Sequence, residues 1–321
     1  MNIKIVFIIL GEPNSTFSEI LFKYFKSDDF KKYKKKIVLV GCKKLIEKQM
    51  KFLGYDFNLK QILNIENSSL RSINIININY KFKKEFSKIS SSSNQYIKRC
   101  FDHCLKILKN NKSSALINGP ISKTHFLKKK FPGITEYVSK KTNSNNPVML
   151  IYNNELSVSP MTTHLPLKNV SKLIKKKNII IKVTKINNFF ISKLKKKPNI
   201  AILGLNPHCE TTDKISEEKT EIIPAIKYLK KKNLKVSGPI SADTFFLKKN
   251  IKKFDVVVGM YHDQVLTPIK ALYNFKAINV TIGLPFLKVT PDHGPNFEMI
   301  GKNKSDPSSI FYAFNFLNKI K

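Results

Sequence analysis

Residues 255–264 (DVVVGMYHDQ) pass without interruption from a β-branched apolar run into a polar stretch that carries His262. Such a run predicts a buried strand over residues 256–260, with the polar residues lying where the strand ends. The arrangement occurs twice more: residues 200–203 (IAIL) lead into GLNPH, which ends at His208, and residues 158–161 (VSPM) lead into TTHLP, which contains His164. Three strands that each end in a histidine-bearing segment predict a shared functional edge of one sheet.

Short β-branched runs alternate with helical patterns along the rest of the chain, which predicts an α/β fold around a largely parallel sheet. Further strands are predicted at residues 3–10, 37–40, 115–118 and 278–282, and a hairpin over 148–152 and 156–161. Helices are predicted at residues 15–26, 43–52, 92–108, 219–232 and 308–320. Residues 57–91 have no clean period and predict no element. We expect residues 1–321 to form a single unit of two intertwined α/β lobes with a central cleft.

The formal charge of +36 raises the possibility of a nucleic-acid-binding protein, but its make-up argues against one. All but two of the 58 basic residues are lysine, the exceptions being Arg71 and Arg99. Arginine is the residue that reads bases and phosphates with paired hydrogen bonds, so a dedicated nucleic-acid surface would contain more of it. The lysines are also spread along the whole chain. We therefore expect a solvated basic surface and no specific nucleic-acid partner.

The composition also predicts where the protein resides. The sequence contains no apolar run of the roughly 18 residues that a membrane-spanning helix needs, and we expect no membrane partner. The apolar stretch at residues 5–10 is too short for the core of a signal peptide. Four cysteines in 321 residues do not form a disulfide framework, which suits a reducing compartment. We expect a cytoplasmic protein.

His164, His208 and His262 are candidate metal ligands. In an open α/β sheet, ligands bind at the carboxyl ends of the strands, and each of these histidines follows a predicted strand. Neutral imidazoles can hold a divalent cation and leave coordination positions open for a substrate. The histidines are 44 and 54 residues apart, which excludes a local finger motif. A single histidine is more often a structural hydrogen-bonding residue, but the three matched positions favour a metal site.

The chain resembles the 4-hydroxythreonine-4-phosphate dehydrogenase family from about residue 115 onward, and more loosely before it. The matching words occur in the family's order at residues 118–123 (NGPISK), 163–167 (THLPL), 204–208 (GLNPH), 237–239 (SGP), 242–244 (ADT), 260–264 (MYHDQ), 279–286 (NVTIGLPF) and 292–294 (DHG). Several long words in one order are a far more specific signal than a lone glycine motif.

The resemblance implies an NAD(P)-dependent oxidation of 4-phosphooxy-L-threonine at its secondary alcohol, followed by decarboxylation, within pyridoxal 5'-phosphate biosynthesis. It implies the fold of the isocitrate and isopropylmalate dehydrogenases, with NAD or NADP and one divalent metal (zinc, magnesium or cobalt) as cofactors. The partners it implies are a phosphorylated small-molecule substrate and a second copy of the chain, in a homodimer whose site lies at the subunit interface.

The resemblance also assigns roles to individual residues. It makes His164, His208 and His262 the metal ligands and Asp243 and Lys270 the catalytic residues. The expected substrate contacts are Ile134, Thr135, Lys270, Asn279 and Lys288, and the expected cofactor contacts are Asp292, His293, Gly294 and Asn296.

Two departures from the family pattern fall in the expected substrate site. Ile134 stands where the family has histidine, and Lys288 stands where it has arginine. The glycine-rich loop near the N-terminus is also altered, at residues 11–19 (GEPNSTFSE). One alternative is therefore a related dehydrogenase of another phosphorylated acid, such as a phospho-threonate or phospho-erythronate. A second alternative is a basic nucleic-acid-associated protein that has lost catalysis, against which the intact histidines argue.

Overall fold

The protein, seen here as a computed structural model, is described over residues 3–111, 113–127, 130–210, 215–274, 276–291 and 296–320. It divides into two compact units. The first unit comprises Met1–Pro147 and Leu284–Lys321, and the second comprises Val148–Gly283. The chain therefore leaves the first unit, completes the second, and then returns to finish the first.

The first stretch of the first unit alternates strands and helices. Its elements are β1 (Ile5–Ile9), α1 (Phe17–Phe25), α2 (Asp28–Lys31), β2 (Lys36–Gly41), α3 (Lys43–Phe52), β3 (Leu59–Gln61), β4 (Ile73–Asn77), α4 (Asn94–Asn110), β5 (Ser114–Asn118) and α5 (Ile134–Lys141). The strands and helices predicted for this stretch are confirmed, with ends that differ by up to two residues. Residues 57–91, for which no element was predicted, contain β3 and β4.

The second unit follows. Its elements are β6 (Val148–Tyr152), β7 (Ser157–Pro160), α6 (Val170–Leu173), α7 (Lys176–Phe189), β8 (Ile200–Leu203), α8 (Ile223–Lys231), β9 (Val236–Ile240), α9 (Ala242–Phe245), α10 (Lys248–Ile251), β10 (Val256–Gly259), α11 (His262–Tyr273) and β11 (Ile278–Ile282). The predicted hairpin is confirmed, because β6 and β7 pair antiparallel. The chain then returns to the first unit as β12 (Leu287–Pro291) and α12 (Ser308–Lys319).

Both units are built on parallel strands. In the first unit the order is β3-β4-β2-β1-β5-β12, and the pairs described are all parallel. In the second unit the order is β11-β6-β7-β10-β8-β9. Strand β6 runs antiparallel to both of its neighbours, β11 and β7, and the pairs β7-β10, β10-β8 and β8-β9 are parallel. The predicted α/β class is confirmed. Strands β1, β8 and β10 read as nearly continuous apolar runs, as expected of strands covered on both faces.

Each unit has its own apolar core. In the first unit, side chains of β1, β2 and β5 pack against α4, which buries seven residues along one face. In the second unit, β7, β8 and β10 pack against α11. All four cysteines are free thiols, as the sequence predicted. Among helices in the described part of the chain, none combines the length and apolar composition that a membrane crossing requires.

An aromatic stack attaches the C-terminal helix to the first unit. Phe314 of α12 is fully buried, and its ring lies 3.9 Å from that of Tyr24 of α1 between centroids, nearly parallel to it. We expect Phe314→Ala to lower the free energy of unfolding by about 3–5 kcal/mol, because it leaves a cavity beside Tyr24. The matched control is Phe297→Ala, whose side chain is 62% exposed and should cost within about 0.5 kcal/mol. Equal losses in denaturant titrations of the two variants would contradict this account.

Candidate functional site

Three neighbouring parallel strands of the second unit end at the same edge of the sheet. Strand β10 lies between β7 and β8, with Gly259 opposite Pro160 and Val258 opposite Ile202. A predicted metal ligand follows each strand within five residues: His164 after β7, His262 after β10 and His208 after β8. The register of the sheet therefore brings the three histidine-bearing segments to one edge, where open α/β sheets bind their ligands.

Two of the three imidazoles lie side by side. The ring centroids of His164 and His262 are 5.9 Å apart, with their planes inclined by 39°. Two imidazoles that share a tetrahedral zinc ion at about 2.0–2.1 Å would have centroids about 5 Å apart. The observed separation of the two rings is about 1 Å larger than this distance.

His262 is the first residue of α11, and its Nδ1 lies 2.6 Å from Oδ1 of Asp263. A carboxylate at Nδ1 fixes the imidazole with a proton on that nitrogen, which leaves Nε2 as the available ligand atom. This carboxylate–histidine pairing is the usual environment of a metal-binding histidine. Asp263 was not among the predicted site residues, although its place directly after His262 was a signal that could have identified it.

His208 faces a different partner. Its side chain is 75% exposed, and its Nδ1 lies 3.5 Å from Oδ2 of Asp243. The Ser241 hydroxyl donates a hydrogen bond to the Asp243 carboxylate, which holds the pKa of that group below its usual range. The predicted catalytic residue Asp243 thus lies beside a predicted metal ligand.

The described residues include no group of three or more His, Cys, Asp or Glu side chains already arranged to hold a metal ion. The donor chemistry and the shared sheet edge nevertheless suit a divalent cation, with His164 and His262 adjacent to each other. The three-histidine metal site therefore stays a prediction.

The backbone of two predicted ligands is in the left-handed region, with φ of 49° at His164 and 55° at His208. Cys209 follows with φ of 62°. Residues other than glycine and asparagine seldom adopt this backbone conformation. It costs about 1–3 kcal/mol and persists where the surrounding structure enforces it. The strain indicates that the loops after β7 and β8 are shaped to direct their imidazoles.

The other two predicted site residues of the second unit lie on neighbouring elements of the chain. Lys270 is exposed on α11, about two turns after His262. Asn279 is half-buried on β11, and its Oδ1 is buried without a hydrogen bond from the protein. A buried acceptor without a donor is costly, so Asn279 is suited to accept a hydrogen bond from a ligand.

Lys288 of the first unit is completely buried on β12. Its Nζ donates a 2.8 Å hydrogen bond to the Thr290 hydroxyl, which in turn donates to Oδ1 of Asn118 at 3.1 Å. Burial lowers the pKa of Lys288 to about 7, and the nearby Glu136 carboxylate partly offsets that effect. Sequence reasoning predicted Lys288 but assigned no role to Thr290 or Glu136. Asn118 is the first residue of the motif at residues 118–123 (NGPISK), and no role was predicted for it.

Ile134 and Thr135 begin α5, directly after Gly133. Ile134 is half-buried and packs against the apolar core of the first unit. Thr135 is half-buried in the first turn of the same helix. Ile134 thus packs against the core, and Oε2 of Glu136, two residues further along α5, is buried without a hydrogen bond.

The altered N-terminal loop is held by the protein itself. Glu12 is 2% exposed, and its carboxylate accepts hydrogen bonds from the backbone of Asn14 and the hydroxyl of Ser93. Gly11 has φ of 72°, and a Cβ there would lie 2.5 Å from the Pro120 carbonyl oxygen. The close approach of this loop to Pro120 therefore depends on the remaining glycine.

Of the predicted cofactor contacts, Asp292, His293 and Gly294 lie outside the described residues. Asn296 is described, exposed and left-handed with φ of 51°, directly before a short helical turn at Phe297–Met299. The cofactor site therefore remains a prediction.

Comparisons with known proteins agree over nearly the whole chain. A family model described as pyridoxal phosphate biosynthetic protein PdxA matches residues 33–317. The chain is 39% identical over 310 residues to the 4-hydroxythreonine-4-phosphate dehydrogenase of Sulfurihydrogenibium sp. (strain YO3AOP1), with 95% of each chain covered. It is 34% identical over 329 residues to the protein of the same name from Aquifex aeolicus (strain VF5), covering 100% of this chain and 99% of the relative.

The fold matches solved structures as well. The crystal structure of a 4-hydroxythreonine-4-phosphate dehydrogenase from Burkholderia phymatum agrees with a TM-score of 0.83 at 24% identity, covering 100% of this chain and 99% of the other. An isocitrate dehydrogenase from Methylococcus capsulatus agrees with a TM-score of 0.51 at 10% identity, covering 98% and 85%. The predicted isocitrate dehydrogenase-like fold is therefore confirmed.

The family model covers most of the chain, and both relatives exceed 30% identity over nearly their full length. The chain therefore belongs to the family of the pyridoxal phosphate biosynthetic protein PdxA.

Proposed function

We propose that this protein is an NAD(P)-dependent and divalent-metal-dependent dehydrogenase. Its substrate is 4-phosphooxy-L-threonine, which it oxidises to 2-amino-3-oxo-4-phosphooxybutanoate. That product loses carbon dioxide to give 3-amino-2-oxopropyl phosphate, in pyridoxal 5'-phosphate biosynthesis. The observation that carries the proposal is the position of three histidines directly after adjacent parallel strands, in a chain whose relatives are named for this reaction.

In this proposal His164, His208 and His262 hold the metal. Imidazole ligands suit zinc or cobalt better than magnesium, which prefers oxygen ligands. When bound, the cation supplies positive charge that stabilises negative charge developing on the substrate during oxidation and decarboxylation. The Asp263 carboxylate orients His262 through its Nδ1, and Asp243 faces the Nδ1 of His208. Asp243 and Lys270 are the proposed catalytic residues.

Lys288 is the proposed partner of the substrate phosphate. An ammonium group has three N–H donors, and one of them is used by Thr290. Burial of an ammonium group is costly and lowers its pKa, and the nearby Glu136 carboxylate offsets this effect only in part. A phosphate would supply the missing charge and accept the remaining donors. Thr135 and Asn279 are the proposed polar contacts to the rest of the substrate, and Ile134 is the proposed substrate contact beside Thr135.

A nicotinamide cofactor, NAD or NADP, would supply the hydride acceptor that this oxidation requires. Its proposed contacts are Asp292, His293, Gly294 and Asn296. We further propose a cytoplasmic homodimer with the site at the subunit interface, and no specific nucleic-acid partner.

The function is tested by measuring cofactor reduction with purified, metal-loaded protein. We expect 4-phosphooxy-L-threonine to give a kcat/KM at least about tenfold above that of phospho-threonate or phospho-erythronate. Ile134 and Lys288, which stand where the family has histidine and arginine, are the two changes that would favour phospho-threonate or phospho-erythronate as the substrate. Preference for one of those acids would replace the proposed substrate, and no reduction with any of the three would refute the dehydrogenase.

Replacing His164, His208 or His262 with alanine should reduce bound metal, because each change removes one of three proposed ligands. We expect the metal content of dialysed protein, determined by elemental analysis, to fall well below one ion per chain in each variant. His103→Ala is the control, because His103 is an exposed histidine on α4. Metal content and activity that are unchanged in all three ligand variants would contradict the metal site.

Lys288→Arg should remove a pH dependence of substrate binding. In the wild type, Lys288 is charged at about pH 6 and mostly neutral at about pH 9, because burial lowers its pKa to about 7. Its attraction for phosphate should therefore weaken as the pH rises, and KM should increase roughly tenfold or more over this range. Arginine stays charged throughout, so KM of the variant should remain nearly constant. Parallel KM profiles for both proteins would show that Lys288 does not bind the phosphate.

Ile134→His should restore a hydrogen bond to the substrate. A hydrogen bond to a charged group contributes about 1.5–3 kcal/mol, so we expect KM for 4-phosphooxy-L-threonine to fall by roughly one to two decades, with metal binding unchanged. Ile134→Leu, which keeps the apolar packing, should leave KM within about threefold. Loss of activity in the histidine variant, with folding intact, would mean that the pocket is built around an apolar wall and would favour the alternative acids.

A further inference from the structure

One amide side chain joins two of the three histidine-bearing strand ends. Oε1 of Gln264 accepts a 2.6 Å hydrogen bond from the backbone N–H of Met260, just before His262. Its Nε2 donates a 2.8 Å hydrogen bond to the carbonyl oxygen of Gly204, which directly follows β8 and leads toward His208. A single side chain therefore fixes the spacing between the ends of β10 and β8.

The backbone beside Gln264 is shaped to admit it. A Cβ at Gly259 would lie 2.9 Å from Oε1 of Gln264 and 2.4 Å from a methyl carbon of Val265. Both separations are shorter than real side chains tolerate. Any other residue at position 259 would displace the amide, so Gly259 and Gln264 form one arrangement.

A buried carboxylate holds the segment that leads to His208. Glu218 is 1% exposed and accepts hydrogen bonds from the backbone of Leu205 at 2.7 Å, the backbone of Asn206 at 2.9 Å and the amide of Asn206 at 2.8 Å. Burial alone would raise the pKa of Glu218, but these hydrogen bonds bring it below its ordinary value. The segment is therefore held at both ends, by Gln264 at Gly204 and by Glu218 at Leu205 and Asn206.

The third strand end is joined to the second in a similar way. The Thr162 hydroxyl donates a 2.9 Å hydrogen bond to the carbonyl oxygen of Met260. The backbone N–H of Met161 donates a 2.7 Å hydrogen bond to the carbonyl oxygen of Gly259. Both backbone groups of Met260 are therefore hydrogen-bonded: its N–H to Gln264 and its carbonyl oxygen to Thr162. This residue is the common point through which all three histidine-bearing segments are connected.

We propose that Gln264 is a positioning residue for the metal site, acting by fixing His262 and His208 in a geometry that one cation can share. The inference rests on the proposed three-histidine metal site. The segments carry left-handed residues and would relax without these bonds, so metal binding would have to order them again. Residues that support ligands in this way typically change metal affinity by about 10–100-fold.

The test compares Gln264→Leu with a matched variant of the same unit, Asn153→Leu. Asn153 is a buried amide that, like Gln264, accepts a backbone hydrogen bond, here from Glu155, and donates one to a distant carbonyl, here that of Lys276. It lies away from the histidine-bearing strand ends. The dissociation constant for Zn²⁺ alone is measured on metal-free full-length protein by competition with a chromophoric chelator, and thermal unfolding of the metal-free variants is recorded in parallel.

We expect both variants to lose thermal stability, but only Gln264→Leu to raise the Zn²⁺ dissociation constant, by about tenfold or more. A dissociation constant within about twofold of the wild type would overturn the inference. If Gln264→Leu fails to fold, Thr162→Val decides the question, because it removes only the hydroxyl bond to Met260. An increase of about threefold or more would support the linkage, and none would refute it.

A further variant separates this inference from the proposed function. If His208→Ala leaves Zn²⁺ affinity unchanged, the three-histidine site itself is wrong. If His208→Ala weakens binding while Gln264→Leu and Thr162→Val do not, the metal site stands and only the positioning role of Gln264 is refuted.

Discussion

The parallel register of β7, β10 and β8 is the constraint on which the candidate site depends. Parallel pairing places the carboxyl ends of these strands at one edge of the sheet. The segments that carry the three histidines, which are 44 and 54 residues apart in the chain, therefore begin at the same edge. Hydrogen bonds donated by Gln264 and Thr162 and accepted by Glu218 then fix the segments beyond the strands. The site is thus an extension of the sheet, and its precision derives from the backbone of a buried core.

The sequence predicted most elements of this core because their apolar runs are long and end in polar residues. It missed β3, β4, β9 and β12, and each of these strands contains residues that usually argue against a buried strand. Asn74 on β4 is fully buried because its amide hydrogen-bonds to three backbone carbonyls. Strand β9 contains Pro239, which is tolerated because β9 is the last strand in the order of its unit. Strand β12 carries the buried Lys288. Local pattern rules could not anticipate these tertiary hydrogen bonds and burial.

The residues of the candidate site also differ in whether a local sequence pattern marks them. The histidines could be identified because a strand followed by a histidine is a local pattern that repeats three times. Lys288 could be singled out only by family resemblance, since the chain contains 56 lysines and its burial is invisible in the sequence. The structure adds the reason for its importance, because an ammonium group held in the core beside Thr290, with its pKa lowered to about 7, is unusual for a lysine. Thr290, Gln264 and Glu218 were beyond sequence reasoning, because their roles depend on contacts between distant segments.

The central claim is that one divalent cation is held by His164, His208 and His262 together. The most direct measurement is anomalous X-ray diffraction from crystals of the protein grown with Zn²⁺, recorded above and below the zinc absorption edge. The account predicts one strong anomalous peak per chain, about 2.0–2.1 Å from a ring nitrogen of each of the three histidines. Absence of a peak, or a peak bound by at most one of these histidines, would contradict it.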